Sequence, residues 1–389
     1  MHLELEPKQH NIPLTCEWEG DIYQEWNFPV EVHEKWKELS GNQGDRGIFS
    51  SEEWLRIWWD AFGNNQELLI IVLKKGGEIK AIFPCYIKAS PRNGKKARTI
   101  SPLANAEVWH CDFLVAPQIQ EEALPYFLTL LYRVAPGSDI LFQTIRMPSQ
   151  GVTSFVEELR LRWVPVFTYV KPWSPWMDLS CDWATFQQGL PSRLKNTIKK
   201  AYKKAEGKGK LHFTTITHSD QLDELLDTIF TIEYRSWKGK TGTAIKCHAD
   251  VERYYRSLAH CSMRNDALFL SILRLDDVPI SFYLCFSSGG TLFGIKTGYD
   301  ESFGFLSPGN LLYSEMFKTL FNNRKFVTFD FLADCEPWKM EWTSNAAEYG
   351  WLRGYPGTLD GWRRYTVEHG WREVLRRYSL LRKLKSLID

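Results

Sequence analysis

The chain has 389 residues, 48 Lys and Arg against 47 Asp and Glu, and 44% apolar residues. That length exceeds what one compact core usually holds, so two domains are expected, and the cancelled charge excludes a chain that acts as a whole as an electrostatic partner of nucleic acid. The eight cysteines, at 16, 85, 111, 181, 247, 261, 285 and 335, form no CxxC pair and no His-spaced ligand set, which argues against a disulfide framework or a metal site and for a reducing cytoplasm.

The amino terminus, MHLELEPKQHN, lacks the charged-then-apolar order of a secretory signal. No apolar run approaches the roughly 18 to 20 residues that span a bilayer. In chain order, a helix is expected near 50–62, a hairpin at 68–87, a strand near 108–115, a helix near 120–134 and a strand at DILFQTI. KPWSPW, residues 171–176, is punctuated by proline and reads as a crossover, giving a first domain over 1–170 and a second over 171–356. The second domain opens with a short strand at MDLS. A basic helix follows, in which eight Arg and Lys between Arg193 and Lys210 face one acid, Glu206. Arg193, Lys195 and Lys199 are candidates for guiding an anionic substrate, and with Tyr202 as the only aromatic the run favours phosphate over stacked bases.

Residues 268–287, LFLSILRLDDVPISFYLCFS, align without a gap on 68–87, LLIIVLKKGGEIKAIFPCYI. Both read as strand, two-residue turn, strand, so the chain is expected to hold two copies of one α/β unit. Next come a strand, TLFGIKTGY, a loop, DESFGFLSPG, a helix, NLLYSEMFKTLF, and a strand, KFVTFDFL, ending in ADCEPWKMEW. The first turn of a helix presents unpaired N–H groups and a positive dipole end, which suits a pyrophosphate. Ser307, Gly309 and Asn310 stand at that turn. The tail, 357–389, spaces Val374, Leu375, Tyr378, Leu381 and Leu384 at helical intervals; such a basic amphipathic helix either packs on its own domain or touches an anionic membrane surface.

GYD followed by SPGNLL, then FDF, then the Lys of WKMEW resembles the GNAT-superfamily acetyltransferases of the CelD/BcsL group associated with cellulose biosynthesis, which is related to FemAB-type aminoacyltransferases. FSSEEWLRIWWDAFG, SRLKNTIKKAYKKAEGKGKLHF and IEYRSWKG extend the likeness over nearly the whole chain. The resemblance implies an α/β (α+β) fold of tandem GNAT-like domains with mixed central sheets, the second catalytic. It also implies acyl-CoA, acetyl-CoA or longer, as co-substrate, an amine of a sugar, amino acid or peptide as acceptor, and no metal. Ser307-Pro308-Gly309 departs from the Q/R-x-x-G-x-G/A pattern usual in that superfamily.

Acyl transfer to an amine needs a base, stabilisation of the carbonyl oxygen and a proton for the thiolate, with no covalent enzyme intermediate. Asp330, Asp300, Asp334 and Glu336 end strands or follow them and are candidate acids, with Asp330 alternatively an ion-pair partner for an Arg. Lys339 matches the Lys of the family's terminal Lys-x-x-aromatic pattern and is expected to steady the oxyanion or a donor phosphate. Tyr299 and Tyr313 are candidate proton donors, and Trp237 a wall of the acyl channel. Rival readings are aminoacyl transfer from tRNA, a carrier-protein-bound acyl donor, and a non-catalytic module in polysaccharide or peptide assembly.

Overall fold

The computed structural model describes residues 8–92, 95–108, 110–147 and 149–370. The candidate tail positions 374, 375, 378, 381 and 384 lie outside the described residues. The chain begins with β1 (Lys8–Pro13), β2 (Trp18–Tyr23), α1 (Val30–Gly41), α2 (Glu52–Phe62), β3 (Glu67–Lys75), β4 (Glu78–Arg92), β5 (Lys95–Pro102), β6 (Leu114–Val115), α3 (Gln120–Val134), β7 (Asp139–Met147) and α4 (Gln150–Leu161). It continues through β8 (Val166–Asp178), α5 (Trp183–Gly189), α6 (Ser192–Glu206), β9 (Leu211–Ile216), α7 (Leu222–Tyr234), α8 (Trp237–Lys240), α9 (Ala249–Arg264), β10 (Leu268–Leu275) and β11 (Val278–Ser288). Last come β12 (Thr291–Tyr299), α10 (Pro308–Asn323), β13 (Thr328–Asp330), α11 (Pro337–Met340), β14 (Ala346–Gly354) and α12 (Leu359–Tyr365).

Two compact units result. Of the described residues, 8–40, 65–171 and 349–370 form unit 1, and 41–64 with 172–348 form unit 2. A linear cut at 170 therefore misplaces two segments. Residues 41–64 belong to unit 2 because α2 buries Trp54, Leu55, Trp58 and Ala61 on one face, and Phe62 packs on Tyr254 of α9 at 5.2 Å between ring centroids. Arg253 adds a hydrogen bond to the Ala61 carbonyl, 3.0 Å. Residues from 349 onward return to unit 1, where Arg364 of α12 makes a two-pronged pair with the buried Asp139, both contacts 2.8 Å.

Unit 1 carries strands in the order β1-β2-β3-β4-β5-β7, antiparallel except for the parallel β5 and β7. Leu69, Ile71 and Leu73 alternate along β3 into a core with Phe83, Phe127 of α3 and Phe155 of α4, the Phe83 and Phe127 rings stacked at 3.9 Å. The expected strand near 108–115 shrinks to β6, which pairs with β4.

Unit 2 carries the order β8-β13-β12-β11-β10-β9, with β12 and β13 parallel. Helices α6 and α10 pack on it, α6 through Leu194, Ile198, Ala201 and Ala205 at helical spacing. The aligned hairpins share their register with a constant offset. Leu73 faces Ala81 and Lys74 faces Ile79 across a bulge in one, and Leu273 faces Ser281 and Arg274 faces Pro279 across a bulge in the other. Gly76 and Gly77 have φ of 59° and 80° in the first turn, and Asp276 takes φ 50° in the second.

Two strand expectations need correction because the partner residues, not the local pattern, decide them. KPWSPW, read as a crossover, lies within β8. KFVTFDFL pairs as a strand only over Thr328–Asp330, opposite Thr291, Leu292 and Phe293. Asp330, fully buried, stops it: one carboxylate oxygen accepts from Arg46 Nη2 (2.8 Å), the other from Ser174 Oγ (2.6 Å) and the Leu332 amide (2.9 Å). Leu332 and Ala333 then turn away with φ of 54° and 55°. Breaking a buried ion pair by removing one partner costs about 3–5 kcal/mol. Urea unfolding of Arg46→Met is expected to show a loss of about that size, and Arg46→Met combined with Asp330→Asn a smaller one.

Candidate functional site

Parallel strands β12 and β13 stay together for three register pairs, ending at Phe293 and Asp330. Beyond them β12 runs on to Tyr299 beside β11, with a register shift between Leu284 and Cys285. Between the diverging segments lies a cavity of about 460 Å³. Thr297, Gly298 and Tyr299 of β12 line one side, the start of α10 another, and Glu336 with Trp338 a third. Ser236, which caps α8, and Trp237 and Lys238, its first two residues, complete it.

The start of α10 is shaped by its sequence. Ser307 sits in the left-handed region, φ 52° and ψ 54°, a conformation that costs a non-glycine residue roughly 1 kcal/mol. Pro308 has no N–H and suits the first helical position. The Ser307 carbonyl accepts from the amides of Asn310 (3.0 Å) and Leu311 (3.3 Å). The Asn310 amide, expected to be open, is thus engaged. Gly309 carries the amide of this turn that has no partner among the described residues. A Cβ at Gly309 would come no nearer than 3.7 Å to its closest neighbour, the Tyr313 side chain, so the small residue leaves room in the cavity and relieves no clash within the protein.

Glu336 is the carboxylate of the cavity lining. It heads α11, accepts from Trp338 Nε1 (3.1 Å) and pairs with Lys339 (3.2 Å), its side chain 47% exposed. Tyr299 and the exposed Trp237 also line the cavity. Tyr313 stacks on Trp338 at 4.9 Å and shares a 3.1 Å hydrogen bond with Thr297 Oγ1. Burial holds its hydroxyl far above the usual tyrosine range, so it stays protonated at neutral pH.

Other candidates stand elsewhere. Asp330 is the strand-ending lock described above, with its oxygens committed to Arg46, Ser174 and Leu332. Lys339 is buried beneath the loop after β13: its ammonium donates to the carbonyls of Leu332 (2.9 Å) and Asp334 (3.1 Å) and pairs with Glu336 (3.2 Å). Three partners use the three N–H donors of an ammonium, so Lys339 fastens this loop and has no donor left for an oxyanion. Asp300 caps the turn after β12, accepting from the Ser302 amide (3.0 Å) and hydroxyl (2.6 Å) with Arg235 at 3.4 Å. Arg193, Lys195 and Lys199 lie on α6 and none lines the cavity, Lys195 donating to the Gln188 carbonyl at 2.9 Å.

Several lining residues were not singled out from the sequence, Lys238 among them. Lys238, the cation of the lining, pairs with Glu233 of α7 (2.8 Å), which is fully buried, and donates to the Thr297 carbonyl (2.9 Å). Its signal was the acid five residues earlier in IEYRSWK. Among the described residues no group of three or more His, Cys, Asp or Glu is placed to hold a metal, and no helix is long and apolar enough to cross a membrane.

Comparison with known proteins agrees with this geometry. Residues 192–340, which span the cavity lining, match a family described as an acetyltransferase (GNAT) domain. The crystal structure of FemX superposes with a TM-score of 0.55 at 12% identity, covering 82% of this chain and 95% of that one. The C-terminal domain of a putative lysylphosphatidylglycerol synthetase from Agrobacterium fabrum gives 0.51 at 10% identity, covering 84% and 91%. A tandem GNAT protein from the clavulanic acid biosynthesis pathway gives 0.50 at 13% identity, covering 86% and 98%. No curated protein sequence matches the chain at a significant level. The fold is a mixed α/β fold of GNAT-like units in tandem, and the matched domain supports a transferase.

Burial lowers the pKa of Lys339 below the ordinary lysine value of 10.5. The folded state therefore loses this proton before the unfolded chain does, and the cost of burying the charge is relieved as pH rises toward 10.5. Urea unfolding at stepped alkaline pH is expected to show wild type gaining stability relative to Lys339→Met as pH approaches 10.5. At neutral pH Lys339→Met is expected to be less stable by about 1–3 kcal/mol, because two loop carbonyls lose their charged donor.

Proposed function

We propose that unit 2 is an N-acyltransferase that moves an acyl group from acyl-CoA to an amine. The observation that carries this reading is the cavity between the diverging ends of β12 and β13, walled by the first turn of α10 and holding one carboxylate among its lining residues. The Gly309 amide and the positive end of a 16-residue helix suit the donor pyrophosphate.

In the proposed reaction the amine nitrogen attacks the thioester carbon, the C–S bond breaks and an amide forms. Glu336 accepts the proton that the amine loses. Its half-exposed place at the head of α11 leaves it reachable by an acceptor entering from solvent. The departing thiolate takes a proton from a tyrosine hydroxyl, for which Tyr299 and Tyr313 both line the cavity. Trp237 and Trp338 supply apolar wall for the acyl chain and the pantetheine arm.

A thermal-shift series with acetyl-CoA, a long-chain acyl-CoA and free CoA tests the donor. Each binding ligand is expected to stabilise the protein by about 2.7 kcal/mol at a concentration 100 times its Kd. No stabilisation by any CoA species would overturn the reading, and transfer that stops on RNase treatment would replace it with a tRNA-dependent one. With an acceptor in hand, Glu336→Gln is expected to lower kcat by about 10²- to 10⁴-fold, with the thermal shift on free CoA unchanged.

A further inference from the structure

We propose that Lys238 is the residue that selects a pyrophosphate-bearing donor at this cavity, and that the buried carboxylate of Glu233 holds it there. The inference rests on the acyl-CoA reading and adds to it the determinant of donor class. Lys238 is the one cation among the lining residues, against the one carboxylate of Glu336. The exposed Arg and Lys of α6, which concentrate the charge of the sequence, are absent from that lining.

The side chain is fixed before any ligand arrives. Glu233 is fully buried, with Oε2 accepting the Ile245 amide (2.8 Å) and Oε1 facing Lys238 Nζ (2.8 Å). Withdrawing the lysine would leave a bare carboxylate in the core, so the ammonium is confined to this position. The Thr297 carbonyl takes a second N–H (2.9 Å). Ser236 ties the turn in between, donating to the Glu233 carbonyl (2.6 Å) and accepting from the Lys238 amide (3.2 Å). Gly298 makes room for this: a Cβ there would come within 3.0 Å of Phe282 and 3.3 Å of the Glu233 backbone.

An ammonium has three donors. Two are held, the third has no partner among the described residues, and the side chain is 22% exposed. A lysine normally loses considerable rotamer freedom on gripping a ligand, and one already immobilised avoids that cost. Lys238 and the Gly309 amide are thus two donors on walls of one cavity, each lacking a full set of acceptors. Paired phosphates meet both requirements, and a charge-assisted bond to a phosphate is among the strong ones.

Calorimetric titration of the full chain with coenzyme A, dephospho-coenzyme A and pantetheine tests this. Lys238→Met is paired with a double variant, Glu233→Gln with Lys238→Met, which removes the cation without stranding a buried charge; the double variant decides if the single one fails to fold. Both coenzymes are expected to bind about tenfold to a hundredfold more weakly in the folded variants, with pantetheine unchanged. Coenzyme A affinity within twofold of wild type in the double variant would overturn the role of Lys238 while leaving the acyl-CoA reading intact. A loss seen with coenzyme A and absent with dephospho-coenzyme A would assign the lysine to the ribose phosphate and overturn the pyrophosphate assignment. Wild type that binds none of the three removes the acyl-CoA reading and this inference with it.

Discussion

The parting of β12 from β13 is the constraint on which the rest of unit 2 depends. Two parallel strands that stay paired leave no room for a ligand, and these separate after three register pairs. The separation is enforced at Asp330, where Arg46, Ser174 and the Leu332 amide together satisfy a carboxylate with no exposure to water. The amides of Phe331 and Ser174 bond to the Pro175 and Ala333 carbonyls, so the departing chain is laced to β8 as it leaves. Two successive left-handed residues, Leu332 and Ala333, cost of order 1 kcal/mol each or more and persist only where the surroundings over-determine them. Lys339 supplies that determination from below by gripping the Leu332 and Asp334 carbonyls. The outcome is a loop that delivers Glu336 and Trp338 to the cavity.

This changes what the conspicuous polar residues are for. Asp330 and Lys339 have the burial and charge expected of catalysts, yet each is saturated by protein partners. A group whose donors or acceptors are all committed has nothing to offer a transition state, whereas a group with one valence left over does. On the proposed reading, that criterion favours Lys238 and Gly309 over Lys339 and Asn310 and keeps Glu336 as a candidate.

What could be read from the sequence followed the range of the interactions. Strand 291–299, the helix after it and the two hairpins rest on periodicities and turns a few residues long, and the structure has all of them, the strand with the same bounds, the helix two residues longer at each end and the first hairpin running on to Arg92. The lock on Asp330 joins residues 284 apart, and no local pattern carries that pairing. The same holds for α2, whose amphipathic face is plain in EEWLRIWWDAF but whose partner, α9, is nearly two hundred residues away. Two Trp-Lys pairs illustrate the limit sharply. Trp237-Lys238 opens one four-residue helix and Trp338-Lys339 sits just inside another, yet the Trp-Lys pair itself does not separate the lysine that lines the cavity from the one beneath a loop. Burial separates them, 22% side-chain exposure against 6%, and burial is a property of the whole unit.

Charge in the cavity is balanced pair by pair. Lys238 is offset by Glu233, and Glu336 by Lys339, so neither wall carries an unpaired charge when the cavity is empty. A bare cation or carboxylate would have to be solvated there, and would then resist the desolvation that binding a thioester requires. With each charge offset from the protein side, the residual attraction comes from directed N–H groups and the α10 dipole, which act over about a helical turn. The solvent-facing lysines of α6 act in the opposite regime, over a Debye length and sensitive to ionic strength. On the proposed reading the basic helix raises the local concentration of an anionic donor, and the paired groups of the cavity decide what stays.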